Sequence, residues 1–391
     1  MANRHDPQDL KQMQSLPLEA KIEMSKRRIK AWYESWTRFE IKNDNTGKTR
    51  FETIDTREFV AEPPLKDGEW IVSALDGQVF VSFSGGKDST VLKHIVDSMY
   101  DDVPSLFVNT GLEYPEIQKF AMSQKNVVTV RPRMRFDEVV KKYGYPVIGK
   151  EVSKIVKESR SAIAKKDYEY YALKKLQGRA VTKDGEPSAY NCAKWEFLID
   201  APFNISSQCC DVMKKAPSKK YEKETGRKPF IGTLACESRL RRSKWLKSGC
   251  NAFEENRPTS QPLSFWTEQD ILHYLKKYDV PYCSVYGDIQ VKPYDTEVVP
   301  ENQINMIDFL GCYEPEDVLE TTGCDRTGCI FCMFGCHLEK EPNRFQKLKK
   351  THPRQYEYCI GGGEMIDGKW QPSKEGLGLW KVLDYIDVKY E

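Results

Sequence analysis

The hexad Ser84-Gly85-Gly86-Lys87-Asp88-Ser89 holds the densest set of residue types suited to chemistry in the chain. Two glycines let the backbone turn tightly and approach an anion with no Cβ in the way. A helix starting directly after them would aim its unsatisfied N–H groups, and its dipole, at negative charge. Lys87 adds a mobile cation, and Ser84 and Ser89 add hydroxyl donors. These are the parts of a phosphate-binding loop. The glycine and Lys-Ser spacing is not that of a Walker A loop.

Thiols form the second group. The chain has twelve cysteines, and they are unevenly placed. Cys209 and Cys210 are adjacent, while Cys324, Cys329, Cys332 and Cys336 crowd into Gly323–His337 with glycines that relieve crowding around a metal. Clustered cysteines, including a CxxC, point to metal binding in a reducing compartment. Four thiolates suit zinc or an iron–sulfur cluster. One ligand set is local: Cys324, Cys329, Cys332 and Cys336, with His337 as a further zinc donor. Cys209-Cys210 would then be a reactive pair near the nucleotide. Cys192, Cys236, Cys250, Cys283, Cys312 and Cys359 stand alone and read as small core residues.

The elements that must position these groups follow from periodicity. Val79–Phe83 is a strand-like apolar run entering the hexad, and Thr90–Met99 is helical, with Leu92, Ile95, Val96 and Met99 on one face. Leu106–Asn109 and Val127–Val130 read as strands, with a helix over Ile117–Lys125 between them. Phe230–Leu234 reads as another strand, and Thr267–Lys277 as a capped helix. Alternation of this kind predicts an α/β domain: a parallel sheet with helices on both faces. A helix is expected over residues 16–36, capped by Ser15, and residues 37–76 read as a connecting extension. Glu151–Leu176 reads as a charged helical insertion. The expected organisation is a helical N-terminal extension (1–76), a nucleotide-binding domain (77–283, with an insertion over 150–205), and a small cysteine-rich C-terminal lobe and tail (284–391).

Composition is that of an ordinary soluble chain: 391 residues, 39% hydrophobic and 30% charged. No run approaches the roughly 18 apolar residues of a membrane span, and the polar start lacks a secretory h-region. A cytoplasmic protein with no membrane partner is expected. Net charge is only +2, but its distribution is uneven. Cys209–Cys250 carries twelve Lys and Arg against Asp211, Glu222, Glu224 and Glu237, whereas Glu297–Glu320 is acidic with no Lys or Arg. Either the basic stretch receives a polyanion, or the two stretches pair or line solvated faces.

The hexad, together with its place after a strand, resembles the PP-loop of ATP pyrophosphatases, Ser-Gly-Gly-x-Asp-Ser. Asn109-Thr110-Gly111-Leu112-Glu113-Tyr114-Pro115-Glu116, Gly232–Arg241 and Gln261–Ile271 are similar to successive segments of the phosphoadenosine phosphosulfate reductase family. In the second segment Leu234 stands where that family has arginine, which removes part of an anion contact. The resemblance covers roughly residues 78–335. It implies an adenine nucleotide alpha hydrolase-like fold, and nucleotide contacts from Ser84, Gly85, Gly86, Lys87, Asp88, Ser89, Thr110 and Glu113. It also implies catalytic roles for Lys87, Asp88 and Arg241. Asp88 would place the loop or Mg²⁺, and Arg239, Arg241 and Arg242 would bind phosphate or acceptor charge.

The tandem cysteine, followed by basic residues and a proline, is similar to adenylylsulfate reductases, in which Cys-Cys and a distant CxxC hold a [4Fe–4S] cluster. This second ligand set would be Cys209, Cys210, Cys329 and Cys332. The Glu-Cys-Gly-x-His-type nucleophile segment of such reductases finds no match, and Cys359 sits in an unrelated context. The Arg-Thr-Gly-Cys-Ile-Phe-Cys segment is similar to the PP-loop component of DNA phosphorothioation systems, and iron–sulfur tRNA thiolases are related. The expected activity is therefore ATP-dependent adenylation of an acceptor, nucleic acid among the candidates, with pyrophosphate release and a sulfur donor protein as partner. The rivals are an adenylylsulfate or phosphoadenylylsulfate reductase using Cys359 or Cys336, and a non-catalytic nucleotide-sensing module.

Overall fold

A computed structural model describes residues 5–57, 62–292 and 317–391. Most of the acidic stretch, and Cys312, lie outside the described residues. The described chain falls into two compact units, each assembled from separate segments.

The first unit comprises Met1–Phe107, Tyr114–Thr129 and Tyr221–Thr327. Its centre is a six-stranded sheet ordered Val127–Val130, Ser105–Val108, Val79–Phe83, Lys228–Ile231, Thr259–Ser260 and Asn251–Ala252. Val81 pairs with Ser105 on one side and with Phe230 on the other, both in parallel. Ser260 runs parallel to Phe230, and only Asn251–Ala252 is antiparallel to its neighbour. The α/β sheet flanked by helices is thus present, with the Phe230 strand beginning two residues before its expected start. Val79, Phe80 and Val81 are fully buried, as a strand covered on both faces requires. Helices Lys87–Asp97 and Glu268–Lys277 follow, with Val91, Leu92, Ile95, Val96 and Ile271 in the same core.

Helix Leu18–Tyr33 is anchored to this unit by buried polar contacts. Trp266 Nε1 donates to Ser25 Oγ at 3.0 Å, and Ser25 Oγ donates to the Pro262 carbonyl at 3.0 Å. Lys21 Nζ donates to both carboxylate oxygens of Asp270 at 2.7 and 2.8 Å. Two expectations for this region need correction. Ser15 does not cap the helix, because it closes the preceding helix Pro7–Gln14, and Pro17 takes the N-cap place. Residues 37–76 are not merely a connection: Trp36–Asn43, Thr49–Asp55 and Glu69–Leu75 form a three-stranded antiparallel sheet. Neither outer strand has a fully buried residue, Thr49–Asp55 being mostly half-buried and Glu69–Leu75 mostly exposed, so they lack the buried apolar alternation that would have marked them.

The second unit comprises Val108–Glu113, Val130–Lys220 and Gly328–Glu391. It is mainly helical, with Phe136–Tyr143, Lys150–Ala164, Tyr171–Leu176, Arg344–Thr351, Pro353–Ile360 and Leu379–Tyr385. A short parallel pairing of Val147–Ile148 with Met333–Phe334 holds the second cysteine segment in place. Among the described residues no helix is long and apolar enough to cross a membrane.

Candidate functional site

The phosphate loop lies in the first unit, where strand Val79–Phe83 ends and helix Lys87–Asp97 begins. Gly85 adopts φ +74°, a left-handed conformation that favours glycine, and Gly86 is the N-cap. A Cβ on Gly86 would stand 3.2 Å from Tyr286 Oη and 3.3 Å from Ser84 Oγ, so this glycine keeps the loop floor open. Ser89 Oγ donates to the Gly86 carbonyl at 2.9 Å, while Ser84 N–H donates to Ser89 Oγ at 3.2 Å. The two flanking serines therefore brace the turn as well as offering hydroxyls.

Three residues from distant sequence complete the loop. Lys87 N–H, one of the helix's free first-turn donors, gives its hydrogen bond to Tyr286 Oη at 3.2 Å. Tyr286 Oη is in turn 2.6 Å from Thr327 Oγ1. Lys87 Nζ donates to Glu268 Oε1 at 2.5 Å and lies over the Tyr286 ring. The loop's cation is thus partnered and nearly buried, at 6% exposure. Sequence reasoning missed Tyr286, which stands in a stretch without pattern, and Thr327, which it read only as part of the cysteine segment, and it took Glu268 only for part of a helix cap.

Asp88 lies in the field of three charged side chains besides Lys87. Burial raises its carboxyl above the usual aspartate value, with Lys87, Arg326 and Arg241 pulling the other way and Glu268 adding to the rise. Arg241 and Arg326 share Glu237, whose carboxylate also accepts the Leu234 N–H at 3.0 Å. Burial, followed by the neighbouring Arg326 charge, lowers the Arg241 value. The Gly232 segment is held against the loop, since a Cβ at Gly232 would meet the Asp88 carbonyl at 3.1 Å. Ser84–Ser89 and Arg241 therefore lie together in one unit.

Thr110 and Glu113 belong to the second unit. Glu113 accepts from Thr110 N–H at 3.1 Å and from Thr110 Oγ1 at 2.7 Å, so its carboxylate is used to shape this turn. The same turn reaches the cysteines: Ile330 N–H donates to the Leu112 carbonyl at 2.8 Å. Cys209, Cys210, Cys329 and Cys332 line one small cavity with Leu112, Phe136, Met213 and Lys214. Cys209-Cys210 precedes a single π-helical turn, Asp211–Lys215, which carries Lys214 into this cavity.

The thiols perturb one another. A hydrogen bond within the tandem pair pushes Cys209 up and Cys210 down, and the Lys150 and Lys214 charges favour the Cys210 thiolate. Burial lifts Cys329 to about 11 and raises Cys332. Lys214 is half-buried, and its desolvation disfavours its charge, yet the Cys329 and Glu113 charges outweigh that and raise its value. Among the described residues, however, no three His, Cys, Asp or Glu side chains are drawn together as a formed metal site. Cys336 is in the same unit, buried, and its Sγ donates to the Met333 carbonyl at 3.0 Å. Cys324 belongs to the first unit and is not among the cavity's residues. Of the isolated cysteines, Cys250, Cys283 and Cys359 are buried as expected, whereas Cys236 is exposed.

A family model described as the phosphoadenosine phosphosulfate reductase domain matches residues 78–186 and 182–333, more than half of the 391. The chain belongs to the phosphoadenosine phosphosulfate reductase domain family. Binding of an adenylyl nucleotide is typical of that family. An uncharacterized protein of Methanocaldococcus jannaschii is 36% identical over 69 residues, which is 17% of this chain and 17% of that protein. The phosphate complex of phosphoadenylyl-sulfate reductase from Candida auris shares 15% identity at a TM-score of 0.29. That match covers 53% of this chain and 75% of the reductase, and so slight a likeness adds nothing to the family assignment.

Proposed function

We propose that this family member binds ATP through Ser84–Ser89 and activates an acceptor by adenylation, releasing pyrophosphate, within a sulfur-transfer reaction. One observation carries the choice over sulfonucleotide reduction. A reductase of this family attacks with an accessible thiolate, and the two thiols proposed for that role are sealed off. Cys359 is 0% exposed and Cys336 is 1% exposed, and burial pushes both well above the ordinary thiol value.

In this reading the first-turn amides and the Ser84 and Ser89 hydroxyls hold the phosphates. Lys87 and Arg241 neutralise charge that builds on the leaving pyrophosphate, and Asp88 orients the loop or Mg²⁺. Their contribution is positioning and electrostatic stabilisation of nucleotidyl transfer.

The cysteine cavity fits a metal group in its chemistry. It offers four sulfur donors from one unit, apolar walls, and a half-buried Lys214 to offset thiolate charge. This supports Cys209, Cys210, Cys329 and Cys332 as ligands of a [4Fe–4S] cluster or zinc, over the set that includes Cys324. An iron–sulfur cluster would supply electron transfer or a site for sulfide.

The test is product analysis. Pyrophosphate released from ATP, and lost in the Ser84→Ala/Asp88→Ala variant, is the expected result. Thiol-dependent sulfite release from a sulfonucleotide, with no pyrophosphate from ATP, would overturn it.

A further inference from the structure

Two of the loop's anion donors are engaged by oxygens of the chain itself. Lys87 Nζ, the one cation of the hexad, is held by Glu268 Oε1 at 2.5 Å. Lys87 N–H, a first-turn donor suited to a phosphate oxygen, gives its hydrogen bond to Tyr286 Oη at 3.2 Å. All three residues belong to the first unit. A carboxylate and a hydroxyl thus stand where phosphate oxygens would bind.

The Glu268 contact is not needed to hold the fold. Helix Glu268–Lys277 is already fixed at its start, where Thr267 N–H and Oγ1 donate to Asp270 at 2.6 and 2.8 Å. Lys21 Nζ binds the same carboxylate, tying this helix to Leu18–Tyr33. Glu268 itself projects from that braced backbone with its side chain 49% exposed, against 6% for Lys87. A half-exposed acid can swing into water at little cost, and pairs of this kind are weak. The ammonium is the partner that cannot be left alone, because a buried charge without a counter-charge is costly. Lys87 therefore requires an anion at all times, and Glu268 and a phosphate group are alternatives for the same place.

That competition bears unequally on substrate and product. ATP has its adenosine half to bind as well as its phosphates. Pyrophosphate, once cut from the adenylyl group, has only the phosphate contacts.

We propose that Glu268 is the release residue for pyrophosphate: its carboxylate yields Lys87 to the phosphates of ATP and retakes it after adenylyl transfer, displacing the product. Glu268 acts through Lys87, as a positioning residue. This rests on the reading that the loop releases pyrophosphate.

The test is calorimetric titration of the full chain with inorganic pyrophosphate plus Mg²⁺, and separately with Mg-ATP. It compares wild type, Glu268→Gln, Lys87→Met and the double variant. Gln keeps the shape of Glu at a half-exposed helix start, so the variant retains the fold. Removing a partly screened competitor should tighten pyrophosphate about 3–10-fold. Most of that gain should vanish in the Lys87→Met background, because it is a coupling between the two side chains. In turnover, Glu268→Gln should be inhibited by correspondingly less added pyrophosphate. Unchanged or weaker pyrophosphate binding by Glu268→Gln would overturn the proposal; a purely structural role predicts weaker binding of both ligands. An equal gain in the Lys87→Met background would also overturn it, since the acid would then merely repel phosphate. Failure of the adenylation reading would look different: the gain in pyrophosphate binding is present, yet the wild type releases no pyrophosphate from ATP.

Discussion

Replacing Tyr286 with phenylalanine tests whether the Lys87 amide is a phosphate ligand. The Tyr286 ring is 2% exposed, and its hydroxyl accepts the Lys87 N–H at 3.2 Å and contacts Thr327 Oγ1 at 2.6 Å. Water cannot readily replace a hydroxyl at so closed a place. Tyr286→Phe therefore leaves a helix N-terminal donor without an acceptor, at a cost of about 1–3 kcal/mol in the nucleotide-free protein. A phosphate oxygen entering the wild-type loop must displace the hydroxyl, exchanging one bond for another. In the variant it meets an empty donor and recovers most of that cost. A gain of about 1–2 kcal/mol corresponds to roughly 5–30-fold tighter ATP binding. The measurements are calorimetric titration with Mg-ATP and urea unfolding without nucleotide. A lower unfolding midpoint combined with tighter ATP binding is expected. A lower midpoint with unchanged or weaker ATP binding would refute the assignment of this amide to phosphate.

Three further predictions address separate parts of the molecule. Anaerobically purified protein should carry iron or zinc, and Cys332→Ser should lose it while Cys324→Ser keeps it; loss in both, or in neither, would remove the case for the Cys209, Cys210, Cys329 and Cys332 set. Lys21→Met leaves Asp270 buried without its cation and should destabilise the first unit by about 3–5 kcal/mol, read as a shift in its chemical unfolding. His94 is partly buried beside Tyr274 at 2.9 Å, and burial lowers its value below the ordinary 6.5. A depressed imidazole binds its proton more weakly in the folded than in the unfolded state, so stability falls as pH drops below about 6.5. His94→Gln should therefore lose less stability than the wild type between about pH 7 and 5, measured by urea midpoints.

How much of this was legible depends on whether a feature is local. The loop was legible because its signals lie in eleven consecutive residues: an apolar strand, two glycines and a helix start. Each constrains the backbone without help from elsewhere. The groups that decide the loop's resting state were not. Glu268 and Tyr286 reach Lys87 from 181 and 199 residues away; Glu268 read only as part of a helix start, and nothing near Tyr286 marks it. The cysteines fall between these cases. Adjacent and CxxC spacings announced a site, but two ligand sets shared Cys329 and Cys332, and spacing alone could not choose. The fold adds one fact that spacing lacks: Cys209, Cys210, Cys329 and Cys332 line one cavity, and Cys324 is not among its residues.

The same distinction explains Cys236 and the turn at Thr110–Glu113. Cys236 stands alone in sequence, where a buried filler is the ordinary outcome for cysteine. It is exposed because the short helical turn Ala235–Glu237 turns it outward into a cavity lined by Arg239 and Arg242, while its neighbour Ala235 fills the core. Thr110 and Glu113 resembled nucleotide contacts, yet the carboxylate bonds Thr110 and lends its charge to Lys214. In this chain that turn is therefore tied to the cysteine cavity through both its carbonyl at Leu112 and its acid at Glu113. A Glu113→Gln variant would separate the two roles. If the turn serves the cavity, metal content falls while ATP affinity at the loop is retained; if it serves nucleotide, the order reverses.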